Sequence, residues 1–212
     1  MTATERFARA ISRFDAANAE DPNREFVDGR ERPKEVLYAE RLTAMLERFA
    51  PDASEALRLA ARCQHLQRWK IPRAAYPMTF DGYNHWRTRL RDFHAELAAT
   101  ILDDVGYDDA TIGRVQSLIR KESLKSDPEA QALEDVVALV FFESYLGDFV
   151  SAHGGYDTAK FADILTKTAK KMSVRGRDAA QNAIALPPSL APAVRAAMEA
   201  AVARARRPKP TS

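Results

Sequence analysis

The sequence predicts an all-α protein. Apolar residues recur every three or four positions along nearly all of its 212 residues, which is the spacing of one face of an α-helix. No segment alternates apolar and polar residues as a half-buried strand does. Proline and glycine separate the helical segments. A chain of this length, with 46% apolar residues, is long enough to build one well-buried helical core.

The elements follow from the apolar stripes, taken in chain order. Phe7, Ile11 and Phe14 mark a first helix that ends near Asn18, and a loop follows to residue 32. Prolines, glycines and capping residues set the bounds of the later segments. The remaining predicted helices cover residues 33–50, 54–69, 83–105, 109–123, 128–149, 156–173 and 190–206, with an irregular loop at 72–83.

The pattern also predicts how the chain is organised. Residues 128–149 form the most apolar helix, and a helix that is apolar nearly all round lies at the centre of a bundle. Gly154 and Gly155 end this compact part. We therefore expect a helical core with its N-terminal helix at 1–155, a helical extension packed on it at 156–206, and a disordered tail at 207–212.

Charge and composition argue against several classes of protein. The chain has 32 Lys and Arg against 30 Asp and Glu, so no strong overall field recruits nucleic acid, although weak contact through the basic residues at 167–177 stays an alternative. One cysteine excludes an intramolecular disulfide and a cysteine-rich zinc site. The N-terminus is too charged for a signal peptide, and no apolar run approaches the roughly 20 residues that span a bilayer. We expect a cytoplasmic protein with no membrane partner.

One stretch, from Ala60 to His94, differs from the rest of the chain. It holds three of the four histidines, the only cysteine, both tryptophans and many arginines. A surface loop does not need this mixture, and a plain apolar core would not tolerate it. The stretch therefore predicts a polar pocket inside a helical protein. The motif Leu133-Glu134-Asp135 lies in the most apolar helix, and we expect it to supply acidic groups to this pocket.

Specific motifs span the chain: Asp21-Pro22-Asn23, Arg62-Cys63-Gln64-His65-Leu66-Gln67-Arg68-Trp69, Tyr76-Pro77, Gly82-Tyr83, Trp86-Arg87 and Leu133-Glu134-Asp135. They resemble those of a bacterial and fungal family, domain-of-unknown-function family 4202, which brings no activity with it. Residues 33–150 also resemble, in the order of their elements, the HD-domain superfamily of helical phosphohydrolases. This second resemblance implies an HD-domain-like helical bundle with an N-terminal helix and a C-terminal helical extension.

The HD resemblance implies roles for single residues. Tyr38 falls at the first histidine position, His65 on the His-Asp pair, His94 on an additional histidine and Asp135 on the late aspartate. Leu66 stands where the family has a metal-bridging aspartate, which removes a charge and a ligand. The implied catalytic residues are His65, His94, Glu134 and Asp135, and the implied ligands of a divalent metal are His65, His94 and Asp135. The alternative is a buried His–Asp hydrogen bond that only joins two helices.

Arginines and aromatic residues near these histidines predict a pocket for an anionic small molecule. Arg87, Arg91 and His94 share one helix face, and guanidinium groups bind phosphate through two hydrogen bonds. The alternatives are ion pairs on a solvated face for the arginines, and anchoring of a loop for the aromatic residues. The predicted ligand-binding residues are Tyr38, Arg68, Trp69, Arg73, Tyr76, Tyr83, Arg87, Arg91 and Lys121.

Two functions are consistent with this sequence. The first is a hydrolase-like enzyme, a metal-dependent phosphohydrolase if the HD resemblance holds, that binds a phosphorylated small molecule such as a nucleotide derivative. The second is a non-catalytic ligand-binding or interaction module on a degenerate HD-like fold. Leu66 favours the second function, and the presence of His65, His94 and Asp135 favours the first.

Overall fold

The structure is a computed structural model that describes residues 1–152 and 157–205. Two compact units divide the chain, Met1–Ala130 and Gln131–Ser212. Apart from one two-stranded sheet, the regular structure of the described residues is helical, so the predicted all-α class is confirmed. The predicted domain bounds at 155 and 206 stay a prediction. Gly154, Gly155 and the predicted tail at 207–212 lie outside the described residues.

Five α-helices and one hairpin make up the first unit, in the order α1 (Ala3–Ala19), β1 (Arg24–Val27), β2 (Arg30–Pro33), α2 (Lys34–Phe49), α3 (Glu55–Arg62), α4 (Phe80–Val105) and α5 (Asp109–Arg120). Two short 3-10 turns, Arg68–Lys70 and Arg73–Ala75, lie between α3 and α4. Helix α6 (Pro128–Val140) contains the division between the units. The second unit continues with a π-helical turn (Phe141–Tyr145), α7 (Leu146–Ala152), α8 (Thr158–Lys171), α9 (Val174–Asn182) and α10 (Ala191–Ala205).

Capping residues fix the ends of these helices, and α4 begins at Phe80, three residues before its predicted start, so the predicted loop at 72–83 is shorter than expected. Ser54 begins α3, Thr79 begins α4 and Asp108 begins α5, each by accepting a hydrogen bond from a backbone N–H of the first turn. Gly106 ends α4 in the left-handed conformation, with φ +89°, which a residue without Cβ adopts at no steric cost.

Helix α3 lies inside the first unit, in contact with α1, α2 and α5. Its Leu57, Leu59, Ala60 and Ala61 are buried, and Cys63 at its end is fully buried. Helix α4 packs against α1 and α5. This packing holds the polar stretch that follows α3 beside the middle of α4, because both helices are fixed on the same core.

The predicted loop at 19–32 is wrong in part, because residues 24–33 form a β-hairpin. Arg24 pairs with Pro33 and Val27 with Arg30, and Asp28 and Gly29 make the turn with positive φ. The strands carry mostly charged residues instead of an alternating apolar pattern, so periodicity could not reveal them. Ion pairs to α2 hold the hairpin in place: Arg32–Glu40 and Glu25–Arg41.

Two helix predictions also differ from the structure. The helix predicted at 54–69 ends at Arg62, and the chain then turns through Gln67, which has a φ of +48°. Helix α9 was not predicted, because its nine residues include Gly176 and carry no apolar stripe. Helix α10 packs against α8 and α9 in the second unit. None of the described helices combines the length and apolarity required to cross a membrane.

Candidate functional site

Four segments of the first unit bring polar side chains together. Glu35 and Tyr38 lie three residues apart on α2 and therefore on one face. His65 follows α3, Arg68 begins the first 3-10 turn, and His94 lies in the middle of α4. We call these five residues the His65 cluster. The sequence predicted four of them as site residues, and the structure places those four side by side.

His65 contacts the Tyr38 ring, the Glu35 carboxyl group and the Arg68 guanidinium group. Its imidazole stacks on Tyr38 with ring centroids 4.2 Å apart and planes within 8°. Nδ1 lies 3.3 Å from Oε2 of Glu35, and Nε2 lies 3.4 Å from Nη1 of Arg68. A guanidinium group only donates, so Nε2 of a neutral His65 accepts and its Nδ1–H points to the carboxylate. The side chain is 19% exposed, so His65 is not wholly enclosed by the core.

His94 presents a buried acceptor. Its Nδ1 lies 2.8 Å from the backbone oxygen of Leu66, and since a carbonyl only accepts, Nδ1 carries the proton. Nε2 is then an unprotonated lone pair, and it is buried without a hydrogen-bond partner among the described residues. His94 is 2% exposed, and its ring centroid lies 5.7 Å from that of His65. A buried acceptor of this kind calls for a water or a ligand that donates a hydrogen bond.

Aromatic rings support the guanidinium group of Arg68. Its Cζ lies 4.9 Å from the ring centroid of Trp86, whose Nε1–H donates to the carbonyl of Ile71 at 2.9 Å. This geometry is a cation–π contact, which holds the planar group in one orientation. Arg73 lies 5.9 Å from the rings of both Trp86 and Tyr83. Arg73 also donates to the carbonyls of Tyr76 and Pro77, so it stabilises the loop before α4.

Burial and charge set the protonation of the cluster. Desolvation lowers the pKa of His65 well below its usual value, and the charges of Arg68, Arg87 and Lys121 lower it further. Desolvation and the neighbouring His65 lower the pKa of His94 to about 3. Burial raises the pKa of Glu35 to about 7, although the Arg68 charge opposes that change. Both imidazoles are therefore neutral at pH 7, and the cations give the cluster a positive surrounding.

We expect a Glu35→Gln variant to become more stable relative to the wild type as the pH rises from about 4.5 to about 7. Folded Glu35 keeps its proton in this window, while the unfolded chain, with the ordinary value of 4.5, releases it. Folding then binds a proton, so wild-type stability falls relative to the variant by about 1.4 kcal/mol per pH unit. Urea unfolding of both proteins at pH 5, 6, 7 and 8 measures the difference.

His65 and His94 act in the opposite direction in the same experiment. Their folded pKa values are lowered, so below about pH 6.5 the unfolded chain binds more protons and stability rises with pH. This contribution is common to both proteins, and the difference between them isolates Glu35. A difference that stays constant from pH 5 to pH 8 would show that the Glu35 carboxyl titrates in its ordinary range.

The other predicted ligand-binding residues of the first unit have varied surroundings. Arg87 is half-buried on α4, one turn before Arg91, and its charge reaches His65 and Arg68. Arg91 donates to the carbonyl of Arg120 and to the Thr88 hydroxyl, which is structural pairing. Lys121 ends α5 in the left-handed conformation, with φ +61°, and acts electrostatically on His65. Trp69 and Tyr76 are half-buried, and Tyr83 is 45% exposed.

Asp135 belongs to the second unit, where it holds the start of α9. Its Oδ1 accepts the backbone N–H of Ser173 at 2.8 Å, and its Oδ2 accepts the Ser173 hydroxyl at 2.5 Å. Gln131 donates to Oδ1 at 3.1 Å. Burial raises the pKa of Asp135, and the Ser173 hydrogen bonds oppose that change. The neighbouring Glu134 is buried. The catalytic and metal-binding roles predicted for these two acids remain predictions.

The donor groups do not suit the divalent metal that the HD resemblance implies. Within residues 1–152 and 157–205, no three His, Cys, Asp or Glu side chains are grouped so that they could hold a metal ion. The Arg68 guanidinium faces Nε2 of His65, so a positive charge already lies where a metal would bind. Leu66, at the position of the bridging aspartate, is fully buried in the core.

Glu35 is the member of the cluster that sequence reasoning missed. Its position three residues before Tyr38 was the available signal, because residues at i and i+3 share a helix face. A lone glutamate near a helix start is, however, usually a favourable charge at the helix N-terminus. Glu35 is instead 8% exposed and in contact with His65.

The comparisons with known proteins add a family and no activity. The family model described as "Domain of unknown function (DUF4202)" matches residues 8–194, which is most of the chain. No curated protein and no solved structure matches it.

Proposed function

The chain belongs to the DUF4202 family, and we propose, from the geometry of its His65 cluster, that it is a hydrolase-like enzyme acting on a phosphorylated small molecule. The observation that carries the proposal is the pairing of two neutral imidazoles with a ring-supported arginine in a half-buried site. Phosphoryl transfer needs cations for the phosphate oxygens and acid–base groups for water and the leaving group. The His65 cluster contains both kinds of group.

Arg68 and Arg87 are the proposed phosphate-binding groups. Burial lowers the pKa of Arg68, the Glu35 charge opposes that change, and the charge of Arg87 adds to it, so the two guanidinium groups repel each other. In the described part of the chain, neither guanidinium lies within ion-pair distance of a carboxylate. A bound phosphate would supply the missing negative charge and accept two hydrogen bonds from each guanidinium group.

The histidines are the proposed acid–base groups. Nε2 of His94 would accept a hydrogen bond from a water and so orient it toward the phosphorus atom. The water oxygen would form the new P–O bond, and its proton would pass to Nε2 of His65, which becomes free to accept it when the Arg68 guanidinium binds the phosphate instead. The bond from phosphorus to the leaving oxygen breaks, and His65 returns the proton to that oxygen. Glu35 holds the imidazole in the orientation that this transfer requires.

A non-catalytic ligand-binding module is the alternative. The observation that favours it is Leu66, a fully buried apolar side chain at the position where the HD superfamily has a metal-bridging aspartate. A pocket of this kind would bind an anion and leave it unchanged. Nucleotide derivatives are one class of ligand for either function, because exposed Tyr83 lies beside the arginines and offers a ring face.

We expect inorganic phosphate to raise the Tm of the wild type because it binds the folded protein. Arg68→Gln should lose at least about 90% of the affinity for phosphate, since one charge-assisted hydrogen bond contributes about 1.5–3 kcal/mol. Arg89→Gln is the matched control, because Arg89 lies on the same part of the chain but is exposed and faces Glu96. Thermal melts over a phosphate titration measure both variants. Equal phosphate stabilisation in Arg68→Gln and Arg89→Gln would contradict the phosphate role of Arg68.

Turnover separates the two functions. Purified wild type, His94→Asn and Arg68→Gln are incubated with a panel of nucleotides and sugar phosphates, and released phosphate is measured. Release by the wild type that both variants lack supports the hydrolase. Phosphate binding without release from any member of the panel supports the binding module.

A further inference from the structure

We propose that Asn18, at the end of α1, is a positioning residue for the His65 cluster. Its side chain joins the backbone of Glu35 to the backbone of Gln67. Gln67 lies between His65 and Arg68 in the chain, in the turn that follows α3. The inference rests on the proposed function, because it treats the His65 cluster as the phosphate site. Neither the sequence motifs nor the family match assigns a role to this residue.

The geometry of Asn18 fixes the direction of its amide. Nδ2 donates to the Glu35 carbonyl at 3.4 Å, and Oδ1 accepts the Gln67 N–H at 2.9 Å. A carbonyl can only accept and an N–H can only donate, so the two contacts together allow one orientation of the amide. Asn18 is 1% exposed, and a buried amide with both ends bonded holds its partners at a fixed separation.

The turn that Asn18 holds is strained. Gln67 has a φ of +48°, in the left-handed region that residues with a Cβ rarely adopt. Such a conformation persists only where its surroundings impose it. The Asn18 contact to the Gln67 N–H is one such restraint, and the Gln67 side chain adds a second by donating to the Ala17 carbonyl at 3.4 Å. His65 and Arg68 flank this turn, so their placement depends on it.

Asp21 holds the start of α2, the segment that Asn18 joins to the turn. Oδ2 of Asp21 accepts the Glu35 N–H at 3.0 Å, and Oδ1 accepts the N–H of Asn23 at 2.9 Å. Asp21 is fully buried. Asp21 therefore fixes the start of α2, and Asn18 joins that start to the turn. The Glu35 carboxylate and the His65 imidazole meet because these two backbone segments are tied together.

A plain stabilising role for Asn18 is the competing explanation, and histidine NMR distinguishes the two. Nitrogen-15 shifts of the imidazoles report which ring nitrogen carries the proton. In the wild type we expect His65 and His94 to be protonated at Nδ1. Asn18→Ala should change the His65 signals and raise the Kd for inorganic phosphate at least about tenfold, the effect of losing one well-placed group.

Val115→Ala is the matched control, since Val115 is fully buried on α5 and lies outside the cluster. It should lower the Tm while leaving the His65 signals and the phosphate Kd as in the wild type. If Asn18→Ala does not fold, Asn18→Ser, which keeps a shorter hydroxyl, carries the same expectation. Wild-type His65 signals and phosphate affinity in a folded Asn18 variant would overturn the inference.

Failure of the proposed function gives a different result. If the wild type does not bind phosphate at all, the proposed function is wrong, while the His65 signals of the Asn18 variant still decide whether Asn18 positions the imidazole. Changed signals would then support the positioning role, and unchanged signals would overturn it.

Discussion

Replacing Leu66 by aspartate should destabilise the protein by about 3–5 kcal/mol, the cost of a buried charge without a partner. Leu66 is fully buried, so the substitution removes apolar packing and introduces a carboxylate at the same point. The HD resemblance makes the opposite prediction, because it places a metal-bridging aspartate at this position. Urea unfolding gives the loss of stability, and elemental analysis of the purified variant gives its metal content.

Leu66→Met is the control for this experiment, because it conserves volume and should cost less than about 1.5 kcal/mol. A folded Leu66→Asp variant that binds a stoichiometric divalent metal would contradict the assignment of Leu66 to the core. It would also restore the metal site that the HD resemblance implies. Lost stability without bound metal would show that the side chain serves the core alone.

Replacing His94 by asparagine should lower the hydrolysis rate by about 10²-fold, the usual cost of misplacing a reacting group, because Nε2 of His94 orients the attacking water. The Asn amide N–H can take the place of Nδ1 and still donate to the Leu66 carbonyl, while the position of Nε2 is left without an acceptor. Phosphate-release kinetics measure kcat, and thermal melts with phosphate measure binding. We expect kcat to fall and the phosphate Kd to stay within a few-fold.

His94→Gln provides the converse variant. Its longer side chain can bring an acceptor near the position of Nε2 but loses the contact to Leu66, so it should keep more of the rate and less of the stability than His94→Asn. Equal rates in wild type and His94→Asn would exclude a role for Nε2 in the reaction. A larger change in the phosphate Kd than in kcat would assign His94 to binding.

The sequence predicted the helical class because long apolar stripes dominate it. Leu42 and Leu46 on α2 and Leu90 and Leu102 on α4 belong to such stripes and lie in the core. The hairpin was not predicted, because its cross-strand partners are mainly arginine, glutamate and proline. Ion pairs to residues of α2 fix these strands, and a pattern within the strands themselves does not include those residues.

The candidate site could be predicted only where side-chain type signals chemistry. Tyr38, His65, Arg68 and His94 stand out in the sequence, and the structure brings these four together. Glu35 does not stand out, because its role depends on burial, which one glutamate among many does not reveal. The positive φ of Gln67 depends on contacts to α1 that are nearly fifty positions away in the chain, so no local pattern encodes it.

The hydrogen bond from His94 to the carbonyl of Leu66 has an evolutionary consequence. Every amino acid has that carbonyl, so the bond places no demand on which side chain stands at position 66. The side chain is free to change with the core around it, and methionine or isoleucine would fit there at a cost below about 1.5 kcal/mol. Drift at position 66 can therefore proceed among apolar residues of similar volume while the imidazole beside it stays in place. The position of the His94 imidazole therefore does not depend on which apolar side chain fills the core at position 66.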